Sequence, residues 1–198
     1  MAKAFSDELD FCLALDFTKP TPTTEDRTEI GELEYHAKYH QSSEAIGELQ
    51  KELTFAVRSL PPDAISRPRL LTYVPSNAVQ DFCLPALLSR GIVDMLPRTF
   101  WSDAEPLVTP RLVVAKTSAK NLAVDKKIAI WTRIVRSDGI RLSRDVENCS
   151  VVVVDDLYQS GASLWSFAKY LKSRGARSVV GVTCVKSLRD TDNRGFRF

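Results

Sequence analysis

The residues of this 198-residue chain best equipped for chemistry lie in one string, Val151-Val-Val-Val-Asp-Asp-Leu-Tyr-Gln-Ser-Gly-Ala-Ser163. Four consecutive valines suit a strand buried on both faces. They deliver two adjacent carboxylates, Asp155 and Asp156, to its carboxyl end, where open α/β sheets bind ligands. After three intervening residues, Ser160, Gly161, Ala162 and Ser163 open a helix with small side chains, two hydroxyls and unpaired backbone N–H groups. That arrangement cradles a phosphate. Paired carboxylates repel phosphate, but they accept hydrogen bonds from vicinal hydroxyls and attract magnesium. A sugar phosphate satisfies both halves of the string, and a ribose 5-phosphate fits the spacing. Taken singly, each half has a plainer reading: an aspartate pair also serves magnesium sites of phosphotransfer domains, and Ser-Gly-Ala-Ser also starts capped helices.

The elements that must position this string can be read from pattern. Residues 161–174 have helical spacing and stop at Gly175, and Ser178-Val-Val-Gly-Val-Thr-Cys-Val is a second buried strand. Strand, helix, strand implies a right-handed parallel crossover, hence an α/β fold with a mostly parallel twisted sheet flanked by helices. Upstream, residues 11–18 read as a strand ended by the prolines at 20 and 22, followed by a loop. Ala45, Ile46, Leu49, Leu53, Ala56 and Val57 recur at three and four, predicting a helix over 42–60 with Ser42 or Ser43 as N-cap. Residues 70–74 read as a strand, 79–90 as a helix up to Gly91, 111–115 as a further strand, and 121–135 as a basic helical or mobile stretch. We expect one domain over 1–198, with residues 1–62 a small N-terminal hood and 63–188 the core.

Composition narrows the function classes. Lys and Arg number 27 against 25 Asp and Glu, a formal charge of +2, which argues against direct nucleic-acid binding by bulk charge. The first 60 residues hold 6 basic and 12 acidic side chains, a net −6, leaving +8 for the rest. Residues 111–145 carry nine Lys or Arg against three acids, suited to a small polyanion or to a solvated face. Cys12, Cys83, Cys149 and Cys184 form no C-x-x-C pair and sit in apolar runs, which favours a reducing cytoplasm. No apolar run approaches a membrane span, and the acidic start is unlike a signal peptide, so neither membrane insertion nor secretion is expected.

The string 151–163 resembles the signature of type I phosphoribosyltransferases: four apolar residues, two acids, two mostly apolar residues, then a small polar loop. The family commonly has Thr or Ser where Gln159 stands. No G-x-G-x-x-G or G-x-x-x-x-G-K-[ST] motif competes. The rest resembles the ComF-like branch over roughly residues 10 to 188. Glu34-Tyr-His-Ala-Lys-Tyr-His40 is similar to its short Lys-Tyr segment, Thr72-Tyr-Val-Pro-Ser-Asn77 to its pyrophosphate-binding loop, and 116–127 to its mobile basic loop. The chain lacks the paired C-x-x-C zinc motifs with which many ComF proteins begin.

The resemblance implies transfer of phosphoribose from 5-phosphoribosyl 1-pyrophosphate (PRPP) to a nitrogen acceptor, nucleobase-like or amine, with Mg2+ held mainly by the donor. Asp155 and Asp156 would hold the ribose hydroxyls, and Gln159, Ser160, Gly161, Ala162 and Ser163 the 5-phosphate. Ser76 and Asn77 would receive the pyrophosphate, and Lys116 and Lys120, or Lys126 and Lys127, would add charge from the closing loop. Lys38 is a candidate to approach the site, and a homodimer is implied by family alone. His36 and His40 have metal-compatible spacing without an evident third ligand. Trp165, Phe167 and Tyr170 read as packing, and residues 189–198 as a polar tail with Phe196 and Phe198 as a contact patch. Two other classes stand beside the enzyme: a PRPP-binding regulatory module without turnover, and a nucleic-acid-processing accessory whose DNA affinity would fall steeply with salt.

Overall fold

A computed structural model describes residues 9–76, 82–101, 105–114 and 122–188. Its centre is a parallel sheet of four strands in the order β1-β6-β5-β2: β1 is Phe11–Phe17, β2 Arg69–Tyr73, β5 Ser150–Tyr158 and β6 Ser178–Lys186. Strand alternation sorts the core into two layers. Val152, Val154, Val180, Val182 and Cys184 face α1 (Glu29–Tyr39), α2 (Ser43–Arg58) and α3 (Leu84–Met95). Val151, Val153 and Val179 face α4 (Val124–Arg136) and α5 (Ala162–Ser173). Because β5 and β6 are covered on both sides, their valine runs are apolar without interruption, as buried parallel strands require. The expected α/β architecture is therefore present, a mostly parallel sheet with helices on both faces.

Several elements differ from the sequence reading. The loop expected after β1 contains α1, whose start is tied to the strand: Thr28 Oγ1 accepts from Gly31 N–H at 3.0 Å and donates to the Phe17 carbonyl at 2.6 Å. Ile30, Leu33 and Ala37 supply the apolar stripe, and Glu29 and Glu32 in the first turn complement the helix dipole. The helix expected over 79–90 begins at Leu84, with proline in its first turn, and runs through Gly91 to Met95. Gly91 is there for proximity rather than termination, since a Cβ would run into the Gln50 side chain of α2. The strand expected at 111–115 is β3, Pro110–Leu112, paired antiparallel with β4, Ile140–Leu142, outside the main sheet. α2 and α5 match their predicted spans closely, with Ser42 Oγ accepting from Ala45 N–H at the start of α2.

Candidate active site

β5 runs past its valines, so Asp155 and Asp156 lie inside the strand and half-buried rather than at its end. Leu157 and Tyr158 keep the pairing going: Leu157 stands opposite Val185, and Tyr158 opposite Lys186. The same alternation that sorts the valines sends the two acids to opposite faces of the sheet. Asp155 is opposite Thr183 of β6, on the α4–α5 side. The Thr183 hydroxyl is buried without a hydrogen-bond partner. Cys12 lies on this side too, its thiol pushed up to about 12 by burial and then by the Asp155 charge.

Asp156 projects to the α1 side. Its Oδ2 lies 2.7 Å from Lys38 Nζ, and Lys38 lies 3.3 Å from Glu34 Oε1, one helical turn back. Glu34 is 4% exposed, and its Oε1 has ion-pair distance to Lys38 without hydrogen-bond alignment. Burial raises the Glu34 carboxyl above the usual carboxylate range despite Lys38 beside it. Burial alone would lower Lys38, but the charges of Asp156 and then Glu34 outweigh it and hold the ammonium well above the ordinary lysine range. Cys184 beneath them is raised by complete burial and further by these carboxylates.

After Tyr158 the chain turns through Gln159 and Ser160 to Gly161, which adopts φ +75° and precedes α5 without a side-chain cap. Glycine is required here twice over. The left-handed backbone disfavours a side chain, and a Cβ would sit 2.5 Å from Tyr158 Oη and 2.7 Å from Trp165. The first backbone bond of α5 runs from Trp165 N–H to the Gly161 carbonyl, so the N–H groups ahead of it have no intrahelical acceptor. Gln159 is exposed, whereas Ser160 and Ala162 are buried. Ser163 Oγ accepts from the buried Trp131 indole N–H at 3.1 Å, which ties this turn to α4.

β2 pairs with β5 on the other side and brings Val74, Pro75 and Ser76 beside the acids, with Val74 N–H donating to the Val154 carbonyl at 3.0 Å. Ser76 Oγ donates to Cys83 Sγ at 3.4 Å. Asn77, Lys116, Lys120 and residues 189–198 lie outside the described residues. Lys126 and Lys127 fall in the first turns of α4, Lys127 buried. His36 on α1 and His40 at its C-cap meet Tyr35 edge-on and lie tilted to each other, and among the described residues no three His, Cys, Asp or Glu side chains gather into a metal group. Glu34 is the site residue that sequence reasoning passed over. Its signal was the i, i+4 spacing to Lys38 on a helix flagged by the Thr28 cap.

No family model matches this chain, and neither does a curated protein. Solved structures similar to this chain include phosphoribosyltransferases. A hypoxanthine phosphoribosyltransferase from Staphylococcus aureus matches at 16% identity over 74% of this chain and 66% of its own, with a TM-score of 0.43. A hypoxanthine-guanine phosphoribosyltransferase from Bacillus anthracis matches at 12% identity over 75% and 73%, with a TM-score of 0.41. One from L. donovani matches at 14% identity over 71% and 67%, with a TM-score of 0.37. No described helix is long and apolar enough to cross a membrane.

Proposed function

We propose that this chain is a phosphoribosyltransferase of the ComF-like type that binds PRPP with magnesium and transfers phosphoribose to a nitrogen acceptor, nucleobase-like or amine. The observation that carries the reading is the short path along one chain segment from two half-buried carboxylates to an uncapped helix start, Asp155 and Asp156 to Gly161. Carboxylates accept from hydroxyls, and free N–H groups at a helix start bind a phosphate, so the segment offers both halves of a sugar phosphate a partner.

In this reading Asp155 and Asp156 accept from the ribose hydroxyls, and the N–H groups of the 160–163 turn bind the 5-phosphate. The 74–76 segment, continued by Asn77, receives the pyrophosphate, and Lys116 and Lys120 add positive charge over it. The C1–O bond of the donor breaks as a C1–N bond forms, and the electron pair leaves with pyrophosphate. Fixed charges around the developing oxocarbenium do most of the work. In this reading Mg2+ would be held chiefly by donor oxygens, with the Asp155 and Asp156 carboxylates as protein acceptors for it. It would neutralise the leaving pyrophosphate as a Lewis acid. Residues 1–62 contribute α1 on the acceptor side of the site, and 63–188 the donor core; the reading also carries a cytoplasmic, homodimeric protein.

The test is calorimetric titration with PRPP and magnesium, followed by pyrophosphate release against a panel of bases and amines. Binding with release establishes the enzyme. Binding without release makes the chain a donor-binding regulatory module. No binding removes the reading. In the Asp155→Asn/Asp156→Asn double variant, donor affinity should fall at least a hundredfold, since two charged acceptors are each worth about 1.5–3 kcal/mol, while the chain still folds with a melting temperature lowered by the loss of the Lys38–Asp156 pair.

A further inference from the structure

We infer that Lys38 is a positioning residue for sugar recognition: anchored by buried Glu34, it sets the orientation of the Asp156 carboxylate so that Asp156 reads a ribose hydroxyl. The inference rests on the sugar-phosphate reading above and extends it to a residue on a different element.

Three observations support it. Asp156 projects onto the α1 face, where its neighbours are Lys38, Glu34 and the buried Cys184. Without the ammonium, that carboxylate would face a second carboxylate over an apolar floor, and the two charges would repel. The ammonium is itself fixed from behind. Glu34, nearly fully buried one turn earlier, is 3.3 Å from Lys38 Nζ, while Lys38 reaches forward to 2.7 Å from Asp156 Oδ2. α1 is in turn held to the sheet by the Thr28 hydroxyl bridging its first turn to the Phe17 carbonyl at the end of β1. Finally, a carboxylate accepts at about four positions on two oxygens, so a single bond from Lys38 fixes its plane and leaves acceptor capacity for a hydroxyl. Glu34 is 5% exposed while Asp156 is 16% and Lys38 31%, so the cluster is rooted in the core at Glu34 and reaches solvent at Lys38 and Asp156.

The experiment compares the binding of ribose 5-phosphate with that of its 2-deoxy and 3-deoxy analogues by calorimetry, in the wild-type chain and in Lys38→Met, Lys38→Arg and Lys38→Met/Glu34→Gln. The last variant removes the buried carboxylate together with its partner, so it folds even if Lys38→Met does not. The wild type should prefer ribose 5-phosphate about tenfold or more over one of the analogues, as expected for one hydroxyl bonded to a charged acceptor. Lys38→Met and the double variant should bring that ratio close to one, and Lys38→Arg should restore most of it. Equal weakening of all three sugars, with the ratio unchanged, would assign Lys38 a purely structural role and overturn the inference. Tighter binding in Lys38→Met would also overturn it, because Lys38 would then be obstructing Asp156. A wild-type chain that binds none of the sugar phosphates removes the functional reading itself, and this is seen before any variant is compared.

Discussion

Asp155 and Asp156 are adjacent in sequence and share one strand, yet they stand in opposite settings. Asp155 accepts from the Asp156 N–H at 3.1 Å and lies opposite Thr183, whose buried hydroxyl has no partner, on the side of the Cys12 thiol. Asp156 faces a charged cluster in which Lys38 joins it to Glu34. Strand alternation forces this split, because consecutive residues of a pleated strand cannot share a face. An acid pair on a strand is thus two separate acceptors with separately tuned surroundings, rather than a coupled dyad. On one face the Thr183 hydroxyl stands unpaired, and on the other Lys38 bridges two carboxylates.

The comparison can be broken most forcefully on the charged side. Lys38→Met should cost about 3 kcal/mol in urea unfolding at pH 7, since it leaves Glu34 and Asp156 without their cation. Because the folded-state value of Lys38 lies above its unfolded one, this contribution is complete below about pH 10 and declines as pH rises through the folded value. The gap between wild type and variant should therefore stay level from pH 7 to about 10 and narrow only above it. A gap that closes between pH 7 and 9 would mean that Lys38 is not held by these carboxylates.

A smaller effect is expected where both sides meet the turn. Gly161→Ala must adopt a left-handed backbone and displace Tyr158, which should cost about 1–2 kcal/mol in stability. Donor affinity should drop with it, read by calorimetry, because the N–H groups ahead of α5 shift with the turn. The smallest effect belongs to the Thr183 side. Thr183→Val removes a hydroxyl that has no partner, so thermal unfolding should show no loss and a gain of up to about 1 kcal/mol. If donor affinity falls in that same variant, the hydroxyl is a ligand contact, and the Asp155 side is completed on binding.

Elements whose own pattern decides them were legible. The valines of β5 and β6 and the three-four spacing of α2 and α5 needed no distant partner to be read. α1 was legible in principle, through Thr28, the acidic first turn and the stripe of Ile30, Leu33 and Ala37, but its many polar residues dilute that stripe into what resembles a loop. The place of β3 outside the main sheet was not legible, because a three-residue strand pairs wherever a partner lies, and that partner is β4. At the site, Asp155, Asp156 and the 160–163 turn are consecutive and could be found by inspection. The Glu34–Lys38–Asp156 chain could not, since it joins a helix near one end of the sequence to a strand near the other and exists only once α1 is laid over β6.

That same long connection has a consequence for assembly. Among the described residues β1 pairs with β6 and with no other strand, so Phe11 pairs across a sequence separation that runs to Val180. Contacts this distant in sequence close slowly, because the loop entropy is lost before the pairing repays it. During synthesis β1 must therefore wait, with its strand edge unpaired, until β6 has emerged from the exit tunnel. Truncations that reach into β6 should leave an adhesive nascent chain rather than a smaller working domain.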